Sequence, residues 1–170
     1  NLPHPPFFTE PRWAERFRAT ELDLAPSYYE ETFADKPPFQ REHALDGNHG
    51  AFDELDQRRE LAQYYTMIAE MDSHFARIRA EYERLGLWDD TVVLFIADHG
   101  DMMGAHRMRL KGTLPYEELY RIPCMLKLPR GTRVARAVVD DLVSSVRAPA
   151  TLLKAAHINV PAQFHNGDFY

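Results

Sequence analysis

Asp98 and His99 stand where an apolar run stops. Thr91-Val-Val-Leu-Phe-Ile-Ala97 is followed at once by Asp98-His-Gly-Asp101. A carboxylate and an imidazole side by side can hold a divalent cation through oxygen and nitrogen. Twelve residues past His99, Lys111 offers an ammonium in Leu110-Lys-Gly-Thr113. A bound cation and an ammonium can together neutralise the oxygens of an anionic ester while its bond breaks. A further imidazole, His4 of Pro3-His-Pro-Pro-Phe7, lies in a Pro-rich stretch and by itself carries no particular chemistry. Taken singly, each has an ordinary reading: a turn carboxylate, a surface lysine, a loop histidine. Their order along one chain makes them candidates.

These residues need elements to position them. The apolar run at 91–97, rich in β-branched residues, predicts a strand buried on both faces, as inside a parallel α/β sheet. Such sheets bind ligands beyond the carboxyl ends of their strands, where Asp98 and His99 lie. Upstream, Leu61, Tyr64, Tyr65, Ile68, Met71, Phe75, Ile78, Tyr82 and Leu85 recur at spacings of three and four. They predict a helix over about Ala51–Leu85, with Arg58, Glu60, Glu70, Arg77, Arg79, Glu81 and Glu83 on its outer face. Tyr64-Tyr65 reads as core packing, Gly86 as the C-cap, and Trp88-Asp-Asp90 as the turn into the strand.

After the Asp-His cluster the pattern predicts a loop to about Pro115 and a helical turn at Tyr116–Leu119. A second strand is expected at Ile122–Leu128 and a third at Leu142–Val146. A helix follows over Pro149–His157, with Pro149 in its first turn, and the last dozen residues read as loop. Residues 1–50 carry Pro3, Pro5, Pro6, Pro11, Pro26, Pro37 and Pro38. That segment reads as irregular chain with short helical pieces around Arg12–Arg18 and Ser27–Phe33. Glu117 and Arg121, four apart, predict an ion pair, and Asp101 reads as a loop-stabilising carboxylate. Cys124 reads as a core thiol. His43, His49, His74, His157 and His165 match no ligand spacing.

The 170 residues, 45% hydrophobic and 27% charged, suffice for one ordinary core. With 26 acidic against 20 basic residues, the net charge of −6 argues against a nucleic-acid partner. No apolar run reaches the roughly 18 residues of a membrane span. A single cysteine excludes an intrachain disulfide framework. Two or three strands and two helices cannot cover both faces of a parallel sheet, so the inventory predicts part of something larger.

The phrases Tyr64-Tyr-Thr-Met-Ile-Ala-Glu-Met-Asp72, Gly86-Leu-Trp-Asp-Asp-Thr-Val-Val93 and Asp98-His-Gly-Asp-Met-Met-Gly-Ala-His106 follow one another in order. Lys111-Gly-Thr113, Tyr116-Glu-Glu118, Arg121-Ile-Pro123 and Ala148-Pro-Ala-Thr-Leu-Leu153 come after them. In that order and spacing the chain resembles the sulfatase family of the alkaline-phosphatase superfamily. The resemblance implies an α/β fold, an alkaline-phosphatase-like α/β/α sandwich, here incomplete and lacking its N-terminal half. Residues 1–170 would then be a partial sulfatase catalytic domain. Residues 1–50 would be a loop-rich segment with the His-x-Pro-Phe phrase, and 51–170 the helix, core strands and metal and sulfate loop.

By position, the resemblance makes Asp98 and His99 metal ligands and Lys111 the lysine that contacts the sulfate. His4 matches the histidine that binds the anion or protonates the leaving oxygen, and His106 is either a further substrate-side histidine or one that serves the loop. The implied cofactor is one divalent cation, calcium first, with magnesium or manganese open. The family's nucleophile is a formylglycine made within Cys/Ser-x-Pro-x-Arg, a phrase absent here and expected outside this chain. The implied activity is sulfuric ester hydrolysis on a small-molecule or glycan sulfate, with the 170 residues alone inactive. A phosphonate or phosphate ester hydrolase of the same superfamily, or a non-catalytic binding module, are the alternatives.

Overall fold

The computed structural model describes residues 2–134, 138–162 and 164. The chain divides into two compact units, one of Asn1–Ile78 with His99–Arg121, the other of Arg79–Asp98 with Ile122–Tyr170.

The first unit is helical. It holds α1 (Pro26–Glu30), α2 (Pro38–Leu45), most of the long α3 (Glu54–Arg84) and α4 (Glu117–Tyr120). Pro26 and Pro38 sit in the first turns of α1 and α2, where a missing N–H is no loss. The prolines that marked 1–50 as irregular thus start two helices, and α2 is an element the sequence pattern did not suggest. Asp53 accepts the N–H of Asp56 at 3.1 Å at the start of α3. The helix ends in a Schellman motif. Gly86 lies at φ +70, its N–H donates to Glu83 O at 3.0 Å, and that of Leu87 donates to Tyr82 O at 2.9 Å.

The buried face of α3 differs from the predicted stripe. Gln57, Glu60, Leu61, Ala62, Thr66, Met67 and Glu70 are the buried residues, whereas Tyr65, Ile78, Tyr82 and Leu85 are exposed. Glu60 and Glu70, expected on the outer face, lie inside. They do so because partners meet them there. Arg109 donates to both oxygens of Glu60, through Nε at 2.8 Å and through Nη2, and Gln57 Nε2 donates to Oε2 at 2.9 Å. The Arg109 guanidinium also lies 3.5 Å from the centre of the Phe52 ring. Two apolar clusters flank this pair. Leu24, Leu61 and Met103 pack with Phe7 and Tyr64, and Met102, Ala105, Met108, Leu114 and Leu119 pack with Phe33 and Tyr116.

In the second unit β1 (Val93–Ile96) and β2 (Cys124–Lys127) pair antiparallel, with Val93 opposite Lys127 and Ile96 opposite Cys124. A parallel neighbour for the 91–97 run was expected, and the observed partner runs the other way. The strand is half-buried rather than sealed on both faces. Cys124 is exposed, so it is no core thiol. The Lys127 ammonium crosses back to the turn before β1, donating to the carbonyls of Trp88 and Thr91 (2.8 Å to the latter). Leu142–Val146 forms no strand. Leu142 is fully exposed and Ser145–Arg147 is a 3-10 turn, for no neighbouring strand takes up its backbone groups among the described residues. Helix α5 (Ala148–Ala155) follows with Pro149 in its first turn, as predicted. Of the last dozen residues, 159–162 and 164 are described and carry no helix or strand, and His165 lies outside the described residues.

The Glu60–Arg109 pair generates a stability prediction. Both side chains are nearly sealed from water, at 6% and 13% exposure, so removing one leaves the other charged and uncompensated. Arg109→Ala is expected to lower the unfolding free energy by about 3 kcal/mol in urea titration. Arg109→Lys should recover little of it, because a single ammonium cannot reproduce the two-pronged contact.

Candidate active site

The loop from His99 to Tyr116 carries most of the candidate residues, and its backbone is held at many points. Gly100 N–H donates to Leu119 O at 2.9 Å, Met102 N–H to Leu110 O at 2.9 Å, and Gly104 N–H to Met108 O at 2.8 Å. From outside the loop, Ala51 N–H donates to Arg107 O at 2.8 Å and Arg109 N–H to His49 O at 2.6 Å. Two turns reverse the chain through left-handed residues, Met103 (φ 43) with Gly104 (φ 95), then His106 (φ 51) with Arg107 (φ 57). Non-glycine residues hold such angles only when their surroundings fix them, and the buried Met102, Ala105 and Met108 side chains do so here. Gly104 is needed on a second count. A Cβ there would come within 2.7 Å of Gln57 Cγ.

Asp98 follows β1, and His99 opens the loop; both are exposed. Nδ1 of His99 lies 2.8 Å from the carbonyl of Gly100. A ring nitrogen committed to a backbone acceptor is the usual support for a histidine that ligates through its other nitrogen. Among the described residues no three of His, Cys, Asp and Glu group to hold a metal ion. Asp101 accepts the N–H of Met103 at 3.3 Å, as a loop-stabilising carboxylate would. Burial pushes its carboxyl above the usual range, against the Met103 N–H and the charge of Lys111. Burial likewise raises Tyr64, with the Asp101 charge adding to it. Lys111 is half-buried, and its neighbour Gly112 lies against the ring of His43, where a Cβ would approach within 2.9 Å. His43 stacks on His49 at 4.3 Å.

His4 is exposed, with Nδ1 2.5 Å from Pro5 O. Its phrase is tied to α3 by Phe7, whose ring meets Tyr64 edge-on at 6.0 Å. His106 is set in a network that the sequence did not suggest. Its Nδ1 lies 2.6 Å from Glu31 Oε2 and its Nε2 3.5 Å from Glu118 Oε1. Lys36 pairs with Glu31, lies 3.1 Å from His106 Nδ1 and donates to Tyr116 OH at 3.3 Å. Burial pushes the Glu31 carboxyl up, but hydrogen bonds from Lys36, His106 and the Phe33 N–H overcome it and hold the pKa at about 2. Glu31 and Lys36 sit in the proline-rich segment without periodicity or motif. The one sequence signal was their opposite charge at short separation. Glu117 and Arg121 do approach, at 3.9 Å, but both are so exposed that the pair contributes little.

Comparison with known proteins extends this picture. The family model described as Sulfatase matches residues 2–158. The chain is 28% identical over 166 residues to the multifunctional alkaline phosphatase superfamily protein PehA of Trinickia caryophylli, covering 89% of this chain and 32% of that protein. It is 34% identical over 106 residues to an arylsulfatase of Clostridium perfringens (61% and 22%). With arylsulfatase K of Rattus norvegicus it shares 29% over 174 residues (95% and 30%). The chain therefore spans about a third or less of the length of these relatives. The solved phosphonate monoester hydrolase SpPMH from Silicibacter pomeroyi superimposes with a TM-score of 0.81 at 24% identity, over 98% of this chain and 34% of its own. That likeness places the fold among alkaline-phosphatase-like α/β structures.

The Glu31 network has a pH signature. The carboxyl titrates at about 2 in the folded protein against 4.5 when unconstrained. A depressed folded pKa contributes stability that is complete above the unfolded value and is lost as pH falls through the folded one. Glu31→Gln should lower stability at pH 7 by about 3 kcal/mol and flatten the loss between pH 4.5 and 2, as read by denaturant melts across that range.

Proposed function

The chain belongs to the sulfatase family, and on that ground we propose that the whole protein hydrolyses sulfate monoesters, with His4, Asp98, His99, His106 and Lys111 serving its site. The observation that best supports this is the run Asp98-His99 to Lys111, in family order and on a loop whose backbone is pinned at every turn. Asp98 and His99 would hold one divalent cation, calcium first and magnesium or manganese as alternatives, which when bound supplies positive charge to the ester oxygens. The fit is that of part of a site. The His99–Gly100 contact orients the imidazole, and two donors fall short of the about six that hard cations take. The family's formylglycine has no precursor phrase in this chain, so the attack on sulfur falls to a group outside these residues.

Each residue of the chain has its task. A sulfate monoester brings one negative charge, and the charge shifts toward the bridging oxygen as the S–O bond breaks. The Lys111 ammonium attracts that oxygen more strongly as its charge grows, which favours the transition state over the bound ester. His4, exposed and near the Phe7 anchor, would deliver the proton that the departing alkoxide requires. His106, held by Glu31 and Glu118, would present its ring to the substrate side of the loop from a fixed position. A phosphonate or phosphate ester hydrolase is the second reading. A relative matched over 89% of this chain is described as a multifunctional alkaline phosphatase superfamily protein, which is compatible with it.

In the whole protein Lys111→Ala should lower kcat/KM for an aryl sulfate by about a hundredfold, chiefly through kcat. His4→Ala should do the same for alkyl sulfates, and its defect should shrink with a nitrophenol leaving group, which needs little protonation. Equal His4 defects across leaving groups reassign His4 to anion binding. Faster turnover of phosphonate esters than of sulfates selects the second reading, and turnover of neither leaves a binding module.

A further inference from the structure

Away from the loop, an open surface hollow of about 530 Å³ lies between the chain at Arg12–Arg16 and the face of α3 that carries Ser73 and Arg77, with the three arginines exposed at its rim. Three guanidiniums line it in a protein whose net charge is −6. Arg12 is paired with Glu10 at 2.7 Å, whereas Arg16 and Arg77 have no carboxylate partner among the described residues. Arg16 lies 5.4 Å and Arg12 6.0 Å from the centre of the Trp13 ring, so the indole keeps both guanidiniums at the wall. The buried Glu70 of α3 is engaged elsewhere. Glu70 accepts the N–H of Glu10 at 3.4 Å and sits 3.7 Å from His74 Nε2. Ser73 and Arg77, four apart on α3, share one helical face. The Trp13 indole N–H is buried without an acceptor, the one such side-chain donor among the described residues.

We infer that this hollow is an anion site for an organic ligand bearing sulfate or carboxylate groups. Guanidiniums are the groups of choice for such oxyanions because their planar donors match two oxygens at once. The volume belongs to the range of small-molecule pockets, about 300–1,000 Å³, and exceeds what one inorganic sulfate fills. The indole and the arginine stems supply apolar wall for the body that carries the charge. None of His4, Asp98, His99, His106 or Lys111 lines it, and the inference is independent of the ester chemistry.

The test is a binding titration by calorimetry on the whole protein, in which variants of Arg16 and Arg77, neither of them an ester-site residue, separate this hollow from the ester site. The probe is sucrose octasulfate, with sucrose and inorganic sulfate as controls. Octasulfate should bind at least about tenfold more tightly than inorganic sulfate, and sucrose not at all. Arg16→Gln and Arg77→Gln should each weaken it about tenfold or more, and Arg12→Gln less, because Glu10 already occupies that guanidinium. Added salt should weaken it further. Unchanged affinity in the Arg16 and Arg77 variants overturns the inference. So does inorganic sulfate binding as tightly as the octasulfate. A drop of several degrees in Tm in these variants with affinity intact also overturns it, because an acidic segment of the protein would then be the occupant. No turnover is read, so failure of the sulfatase reading would leave the titration standing.

Discussion

The buried pair between Glu60 and Arg109 is the contact on which the first unit turns. Glu60 belongs to α3 and Arg109 to the loop, two residues before Lys111. An ionised carboxylate inside a helix face is tolerable only when a matching cation reaches it. Both oxygens of Glu60 are used by Arg109, and Gln57 takes part in the same arrangement. The loop is thereby held against the helix by electrostatics that water does not weaken. Gln57 in turn accepts the N–H of Phe52 at 3.2 Å, and Phe52 lies under the Arg109 guanidinium. One set of side chains joins helix, loop and the segment entering the helix.

The rest of the loop follows from that anchor. Once Arg109 is fixed, the chain between Met102 and Met108 has to turn back twice in a few residues, which it does through left-handed angles at Met103, Gly104, His106 and Arg107. Such turns store strain, offset by burial of Met102, Ala105 and Met108. His106 is carried outward at the second turn, to the place where Glu31, Lys36, Tyr116 and Glu118 surround it. The network therefore ties the proline-rich segment to the loop by charge, as the Arg109 pair ties α3 to it.

Unit two is held differently. Its two strands present half-buried faces, and Met125, Val138, Leu142 and Val146 stand exposed. The register is pinned by Lys127, whose ammonium bonds carbonyls of the preceding turn and lies 5.0 Å from the centre of the Trp88 ring. Exposed apolar side chains in such number are unusual for a folded surface. Relatives of this family are about three times as long as the matched region or longer.

What the sequence determined by itself is what depends on neighbours in the chain. The long helix was legible because spacing of three and four specifies its period, though not the face it buries, and its end because Gly86 admits the left-handed cap. The strands β1 and β2 and the helix α5 were legible from local runs and from Pro149. The Asp98-His99, Lys111 and His4 candidates came from phrases that resemble those of the sulfatase family. What only the tertiary structure decided depends on partners far away in the chain. The burial of Glu60 awaits Arg109, 49 residues on. The place of His106 awaits Glu31, 75 residues back. The antiparallel direction of β1 and the loose chain at Leu142–Val146 depend on which backbone is available to pair. A charged residue reads as surface until its counter-charge is known, and a strand has no direction until its neighbour is. Both are properties of contact between segments, and local pattern carries no record of them.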